Sequence, residues 1–204
     1  MVSKKEKEYD GKSDGKLKDI TNFIFELGTL KHVKRSGWWL INIKDPENIA
    51  GHSFRAGVIG YILANLENAD INKVTKMCLF NDLHEARLND LHKVGQRYID
   101  FKKAETAAHK EQTESLGNIG KEIFDLHKEF QEQITKESVV ARDADLLENA
   151  YQAKEYIEIG YKDAQNWIDN IWKVIRTDSA RKLLTLIEKT SSNDWWKNLK
   201  KIQR

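Results

Sequence analysis

The near absence of proline is the feature that most constrains how this chain can fold. Pro46 is the only proline among 204 residues, and just eleven glycines accompany it. Because proline and glycine are the residues that most often interrupt helices, their scarcity favours long helices over the short strands and turns of a sandwich or barrel. The length fits one medium-sized domain with a large core. We therefore predict an all-α, single-domain helical bundle.

The charge of the chain is dense but almost balanced. The 34 basic and 32 acidic residues leave a net charge of +2, and lysines alternate with glutamates along the sequence. This pattern argues against a dedicated surface for nucleic acid or membranes. Residues 1–16 lack an apolar core after their basic residues, so we expect a flexible tail and not a signal peptide. No later run approaches the ~20 apolar residues of a membrane helix, so we expect a soluble protein.

Cysteine usage favours a reducing compartment. Cys78 is the only cysteine, so the chain can form no internal disulfide and has no cysteine-based zinc cluster. We therefore expect a cytoplasmic protein.

Apolar residues recur at three- and four-residue spacing along most of the chain, which predicts a series of amphipathic helices. The predicted helices cover residues 17–32, 49–66, 72–88, 103–134 (as one or two helices), 137–160, 163–175, 178–190 and 193–202. Thr177 or Asp178 is expected to cap the helix 178–190. An ordered loop, residues 34–48, joins the first two helices.

One predicted helix carries more polar groups than packing explains. Near its C-terminal end, Asn81, Asp82, His84, Glu85 and Asp90 interrupt an apolar run. On a continuous helix Glu85 lies about 40° from Asn81, beside a buried face, and Asp90 follows just past the helix end. Buried carboxylates require a cation, a hydrogen-bond network or a proton. This helix is therefore the first candidate site.

Other polar residues differ in their surroundings. His52 opens the helix 49–66, and Asp145 lies amid apolar residues of a later helix, which makes Asp145 the better candidate for an inward carboxylate. Asp143 is expected to be an ordinary exposed acid. His109 and His127 have no acidic residues at ligand spacing, so we expect both on the surface.

Three residues in loops are candidates to contact an anionic ligand. Arg35 precedes a pair of tryptophans, where its guanidinium could hold a phosphate. Trp38 could stack on a base, although tryptophans in loops more often close the edge of a core. Lys93 lies in a cation-rich stretch and could bind a phosphate, although a solvated surface is the commoner explanation.

His52, Asn81-Asp82 and Asp145 together resemble the H…HD…D pattern of HD-domain metal-dependent phosphohydrolases, over roughly residues 17–160. The resemblance is closest to the compact branch that includes the 5′-deoxynucleotidases. In that branch the first histidine follows a phrase like PENIAGHS, and the last aspartate lies in a phrase like DADLLE. The resemblance implies an HD-type helical domain over residues 17–204, with the metal-site core at 17–160 and additional helices at 161–204.

A metal centre is the first implication of this resemblance. It implies that His52, Asn81, Asp82 and Asp145 hold a divalent ion, with Mn²⁺, Co²⁺, Mg²⁺, Zn²⁺ and Ni²⁺ as candidates. In the family pattern two imidazoles and two carboxylates form a mixed nitrogen and oxygen site that leaves positions open for water and a phosphate oxygen.

A reaction is the second implication. The resemblance implies hydrolysis of (deoxy)nucleoside 5′-monophosphates to nucleoside and phosphate. Glu85 and Asp90 fall on the branch's two further acidic positions, where Glu85 would orient or deprotonate water and Asp90 would meet sugar hydroxyls or complete the water network. Arg35 resembles the basic residue that contacts the substrate phosphate. Members of the family are often dimeric, and the tryptophan-bearing C-terminal helices offer apolar surface, so we expect a homodimer.

Asn81 stands where the pattern has the histidine of the HD pair, and Gly51 is a lesser departure. An amide oxygen binds transition ions less well than imidazole. Loss of a group that merely orients a ligand already costs roughly 10–100-fold, so we expect impaired activity and a shift in preference toward Mn²⁺ or Mg²⁺. Asn81 is an engineered substitution, a natural loss of catalysis, or a variant in which another ligand compensates. His84 is the only nearby imidazole on that face.

Two other functions stay open at this point. A non-catalytic HD-domain protein could bind nucleotides in the same pocket as a sensor or regulator. A helical scaffold could carry the acidic residues without any metal.

Overall fold

The computed structural model describes residues 11–197 and 199. These residues form α-helices joined by short loops, and this described part contains no β-strand. The helices are α1 (Gly11–Gly28), α2 (Ile49–Glu67), α3 (Ile71–Phe80), α4 (Glu85–Leu88), α5 (Phe101–Glu114), α6 (Asn118–Glu132), α7 (Lys136–Glu158), α8 (Gln165–Val174), α9 (Asp178–Lys189) and α10 (Asp194–Lys197). Short 3₁₀ helices occupy Thr29–Lys31, Ser36–Ile41, Gly95–Arg97 and Lys162–Ala164. The predicted all-α fold class is confirmed.

Side-chain caps explain where several helices begin. Asn48 accepts a hydrogen bond from the main-chain N–H of Gly51 at the start of α2, and Asp70 does the same for Lys73 in α3. Thr177 caps α9 in the same way, as one of the two sequence alternatives predicted. Each cap satisfies an amide that a helix start would otherwise leave without a partner.

Helix α7 lies at the centre of the bundle and packs against α2, α3, α6, α8 and α9. Its inward positions are largely small, and each of the following is fully buried: Ala141, Ala144, Ala150 and Ala153. Small side chains let neighbouring helices approach closely. At Gly60 of α2 an added Cβ would lie 2.7 Å from the Cys78 Sγ. The backbone of α2 therefore packs directly against a side chain of α3 at this point. This packing brings α2, α3 and α7 into one contact region.

The predicted single helix 72–88 is wrong. Helix α3 ends at Phe80, and four residues in turns separate it from α4. The main-chain carbonyl of Asn81 does not receive the N–H of Glu85, which donates to Asp82 instead. The Asn81 carbonyl accepts hydrogen bonds from two imidazoles, His84 Nδ1 at 3.2 Å and His109 Nε2 at 2.9 Å. Tertiary hydrogen bonds thus replace the helical one at this position.

Other boundaries differ from expectation by a few residues. Helix α1 begins at Gly11, so residues 11–16 of the expected tail are helical, whereas residues 1–10 lie outside the described residues. The segment 103–134 forms two helices. Within the predicted last helix, 193–202, the described residues are 193–197 and 199, of which Asp194–Lys197 form α10.

Asp143 was expected to be exposed, and this prediction is wrong. Its side chain is 1% exposed, and its carboxylate accepts hydrogen bonds from the main-chain N–H groups of Arg176 and Thr177. Asp143 therefore ties α7 to the start of α9. Across the described residues, no helix combines the length and apolar character needed to cross a membrane.

The loop after α4 contains a strained residue. Asn89 has φ 60° and ψ 166°, a conformation that is nearly exclusive to glycine. Directly after it, Asp90 Oδ2 accepts a hydrogen bond of 2.5 Å from the Ser36 N–H, which ties this loop to the 3₁₀ helix Ser36–Ile41. The strained turn thus positions Asp90.

We expect Asn89→Gly to raise the free energy of unfolding by about 1 kcal/mol, because glycine removes strain worth about 1–3 kcal/mol but loses more chain entropy. Urea unfolding measures the change. Asn68→Gly is the matched control, since Asn68 has φ 53° and ψ 45°, which asparagine tolerates. Equal effects of the two substitutions would contradict the strain at Asn89.

Candidate metal centre and substrate cavity

Three helices bring His52, Asp82 and Asp145 together. His52 lies in the first turn of α2, Asp82 follows the end of α3, and Asp145 lies in α7. His52 Nε2 is 3.3 Å from Asp82 Oδ2 and 3.0 Å from Asp145 Oδ1. One ligand atom from each residue lies within 4.8 Å of the others, a spacing that one metal ion can span. The structure therefore assembles three of the four predicted metal ligands.

A chain of hydrogen bonds holds the His52 ring in position through its Nδ1, on the side away from Asp82 and Asp145. His52 Nδ1 donates to Glu148 Oε2, and Glu148 Oε1 accepts from Arg55 Nε at 2.8 Å. A carboxylate on one ring nitrogen is the usual arrangement for a metal-binding histidine, because it orients the ring and leaves the other nitrogen free for the ion. Burial and Arg35 lower the pKa of His52, but the nearby carboxylates outweigh them and raise it well above its ordinary value.

Asn81, the fourth predicted ligand, is buried beside Asp82. Its Nδ2 donates to Asp82 Oδ1 at 2.7 Å, whereas its Oδ1 is buried without a hydrogen-bond partner. A buried oxygen that has no hydrogen-bond partner and lies next to a carboxylate is typical of a group that coordinates a cation.

The donor set fits a divalent cation. Burial raises the pKa of Asp82, but the hydrogen bond and charge of His52 outweigh burial and hold that pKa far below its usual range. The pKa of Asp145 is also lowered, again because contacts with His52 exceed the effect of burial. Two ionised carboxylates, one imidazole and the free oxygen of Asn81 form an oxygen-rich site for such an ion.

Glu85 lies beside this cluster without touching a partner. It is 5% exposed, and its Oε2 is buried without a hydrogen bond. Burial raises the pKa of Glu85 well above its ordinary value, and the charges of Asp82 and Asp90 raise it further. A carboxylate with a free oxygen and a raised pKa is a stronger proton acceptor than an ordinary carboxylate.

Arg35 brings a cation to the same cavity. Its Nη2 donates to Asn149 Oδ1 at 2.6 Å, and its side chain is 16% exposed. Burial lowers the pKa of Arg35, but the charges of Asp90 and Asp82 outweigh burial and raise it, so the guanidinium stays charged. A fixed guanidinium is well suited to a phosphate.

The other two predicted substrate residues also border the cavity, in different environments. Trp38 is 1% exposed, its Nε1 donates to Glu47 Oε1 at 3.1 Å, and its ring stacks on Trp167 with centroids 4.6 Å apart. It therefore forms part of the wall. Lys93 is exposed, and its Nζ donates to Gln96 at 2.9 Å. Substrate contact by either residue stays a prediction.

A cavity of about 910 Å³ contains these groups. Its lining includes Arg35, Asn81, Asp82, Glu85, Asp90 and Asp145. Apolar side chains complete the walls, among them Leu40, Trp167, Ile171 and Val174. A cavity of this size with a few converging polar groups is typical of a small-molecule site.

Residues 27–187 match the HD domain family. The chain belongs to the HD-domain family. This HD-domain protein is 34% identical over 149 residues to 5′-deoxynucleotidase HDDC2 of Dictyostelium discoideum, in a match that covers 69% of this chain and 78% of that protein.

Solved structures share its fold. The PH0347 protein of Pyrococcus horikoshii OT3 is 29% identical with a TM-score of 0.71, and the match covers 83% of this chain and 96% of that one. The HD phosphohydrolase DatZ of cyanophage S-2L, solved with dA and one catalytic Zn²⁺ ion, is 15% identical with a TM-score of 0.53, and the match covers 81% of this chain and 96% of that one. At this identity the likeness to DatZ concerns the fold alone.

Sequence reasoning missed several members of the site of this HD-domain protein. Glu148 lies three residues after Asp145, on the same face of α7, and that spacing could have indicated a second inward carboxylate.

His109 and His127 were expected on the surface, and this prediction is wrong. They are 0% and 2% exposed, and burial lowers the pKa of His109 to about 4 and that of His127 to about 3.

We expect Glu148→Gln to weaken Mn²⁺ binding by roughly 10–100-fold, because the amide no longer fixes the His52 ring as a charged acceptor. Isothermal titration calorimetry on the metal-free protein measures the affinity. Glu155→Gln is the matched control, because Glu155 also binds Arg55, at 2.7 Å, in a contact that does not include His52. Unchanged affinity in Glu148→Gln would contradict the role of this bond.

Proposed function

We propose that this chain is a metal-dependent phosphohydrolase that converts (deoxy)nucleoside 5′-monophosphates to nucleoside and phosphate. The observation that carries the proposal is the convergence of His52, Asp82 and Asp145 at the wall of a cavity that Glu85 and Arg35 also line. Similarity to proteins named 5′-deoxynucleotidase supports the choice of substrate.

His52, Asp82, Asp145 and the Asn81 oxygen would hold the divalent ion. When bound, the ion lowers the pKa of water and shields the charge of the phosphoryl group. The identity of the ion follows from the donors, which are mostly oxygen and therefore favour Mn²⁺ or Mg²⁺ over Zn²⁺.

Arg35 would bind and orient the phosphate. Its contact with Asn149 and the nearby charge of Asp90 hold the guanidinium in place before substrate arrives, so little side-chain entropy is lost on binding. The positive charge of Arg35 also offsets the negative charge of the phosphate, which would otherwise be repelled by the carboxylates of the cavity.

Glu85 would take the proton from the attacking water. The new bond joins the water oxygen to phosphorus, and the bond from phosphorus to the sugar O5′ breaks. The leaving alkoxide needs a proton, which Glu85 or a water can return. Asp90 would meet a sugar hydroxyl, because it lines the cavity just after α4, the short helix that begins at Glu85.

The apolar part of the cavity would receive the base. Trp167 and Ile171 of α8 contribute to that wall, together with Leu146 of α7. Flat and aliphatic groups favour stacking on a base over reading its edge, so we expect weak discrimination among bases.

Replacing Asn81 by the histidine of the family pattern tests the proposed activity. We expect Asn81→His to raise kcat/KM for phosphate release from deoxynucleoside monophosphates at least about tenfold, because an imidazole replaces a weaker amide ligand. Phosphate release is measured with Mn²⁺, Co²⁺ or Mg²⁺ for each variant.

Two controls sharpen this comparison. Asn72→His adds an imidazole to the exposed side of α3 and should leave the rate unchanged. Asp82→Asn in the Asn81→His background should abolish the gain. If neither the chain as given nor Asn81→His releases phosphate from any of these nucleotides, the proposed reaction is wrong.

A second function is favoured by Asn81 itself. A protein that keeps Arg35, Glu85 and the cavity but has a weakened metal centre could bind nucleotides without hydrolysing them. Metal-dependent nucleotide binding without turnover, persisting in Asn81→His, would support this regulatory function.

We further propose that the protein is a homodimer that associates through the outer face of α2. Every exposed residue of this helix is uncharged, and five of them are large and apolar. These are Phe54, Val58, Tyr61, Ile62 and Leu66, with 69%, 46%, 55%, 47% and 54% exposure. A helix on the surface of a soluble protein normally turns polar residues to solvent, so an apolar outer face is typical of a face that a partner covers.

The exposed area supports a second copy as the occupant. The five side chains expose on the order of 500 Å² per chain. Two copies would bury about 1,000 Å², close to the minimum for a specific interface. One helix face on each chain also suits the two-fold symmetry of most dimers.

We expect Val58→Glu to shift the protein from dimer to monomer, because a buried charge without a partner opposes association. Light scattering after size-exclusion chromatography measures the mass. Trp195→Glu is the matched control on the tryptophan-bearing C-terminal surface that the sequence suggested, where Trp195 is 74% exposed. Dissociation by Trp195→Glu alone would place the interface there instead.

A cytoplasmic location completes the proposal. Its support is Cys78, the only cysteine of the sequence, which is buried as a free thiol and leaves the chain without an internal disulfide.

A further inference from the structure

Three buried imidazoles lie together outside the ligand set described above. His84 precedes α4, His109 lies in α5 and His127 lies in α6, and each of these residues is at most 2% exposed. The His109 Nδ1 and both ring nitrogens of His127 are buried without hydrogen-bond partners. Buried polar atoms are normally paired, so three unpaired nitrogens in one place point to a missing partner.

The Asn81 carbonyl determines which nitrogens are free. It accepts from His84 Nδ1 and His109 Nε2, and a carbonyl has no proton to donate, so both of these nitrogens carry the hydrogen. The lone pairs of His84 Nε2 and His109 Nδ1 are therefore available. A metal-binding histidine commonly donates its other N–H to a main-chain carbonyl in this way.

Two of the three ring separations are close to that of ligands around one ion, whereas the ligand atoms of this set do not yet converge to within 4.8 Å as those of the first site do. Imidazoles on a tetrahedral ion have centroids about 5.3 Å apart, given a metal–nitrogen distance of about 2.1 Å. The observed separations are 5.2 Å for His84 and His109, 6.2 Å for His84 and His127, and 3.8 Å for His109 and His127. The last pair is stacked, so ion binding would turn one of its rings.

Glu105 supplies a negative charge at the same place. Its Oε1 is 3.9 Å from His84 Nε2, and it accepts a hydrogen bond of 2.6 Å from Gln131 Nε2. His84 and Glu105 both line the cavity, which provides a route for an ion. Three imidazoles and one carboxylate match the ligands and number that Zn²⁺ prefers.

We propose that His84, His109, His127 and Glu105 form a second cation site, next to the site of His52, Asp82 and Asp145. The second site is rich in nitrogen, whereas the first is rich in oxygen. Its ion is therefore a borderline transition metal such as Zn²⁺, Co²⁺ or Ni²⁺, while the first site favours harder ions.

The experiment disrupts the first site by substitution and measures how many metal ions the chain still binds. Metal-free His52→Gln/Asp145→Asn protein is titrated with Co²⁺, and bound metal is measured by elemental analysis and calorimetry. We expect this variant to keep one ion per chain, with an absorption spectrum of nitrogen ligands. If it binds no Co²⁺, the second site does not exist, whatever the other variants do.

Single substitutions then identify the ligands. In the unaltered chain His109→Gln and His127→Gln should each lower Co²⁺ binding by one ion, or weaken one binding step at least about tenfold. His32→Gln, which removes an exposed imidazole, is the matched control. Circular dichroism verifies that each variant is folded. Folded variants that bind Co²⁺ as the unaltered chain does would overturn the proposal, and because no step needs a substrate, this outcome is separate from failure of the hydrolase assay.

Discussion

Compensation of buried negative charge is the constraint on which the rest of this structure depends. Asp82 and Glu85 lie just after α3, Asp145 and Glu148 lie on α7, and all four carboxylates are close together and largely shielded from water. Carboxylates in such a place repel one another and lose their hydration. His52 and Arg55 offset part of this cost through short contacts, and Arg35 offsets part of it through its nearby charge. A bound cation would offset more, which explains why a domain with a small net charge concentrates acid in its interior.

The helical bundle can bring these carboxylates together because the buried side chains of its central helix, α7, are largely small. Fully buried alanines on α7 let α2 approach, so His52 reaches both Asp145 and Glu148 on adjacent turns. Arg55, one turn after His52, completes the contact with Glu148. The same helix pair therefore forms the core and orients the predicted metal ligands. Stability and site geometry are consequently coupled at this contact.

Asn81 connects the two groups of candidate ligands through different atoms. Its side chain lies beside Asp82, and its main-chain carbonyl accepts from His84 and His109. The carbonyl is free for these bonds because the chain leaves the helical path between α3 and α4. A substitution at Asn81 changes the first group through the side chain and leaves the carbonyl in place. The two groups can therefore vary independently.

Local sequence patterns determined the helical class, most helix positions and, through family resemblance, the set His52, Asp82 and Asp145, and they limited the cap of α9 to Thr177 or Asp178. These depend on spacing and on residue type, which are properties of the chain itself. Only the tertiary structure decided the break after Phe80 and the burial of His109 and His127, because helices distant in sequence supply the groups that cause them. An imidazole in a charged amphipathic helix looks exposed until the neighbouring helix that covers it is known.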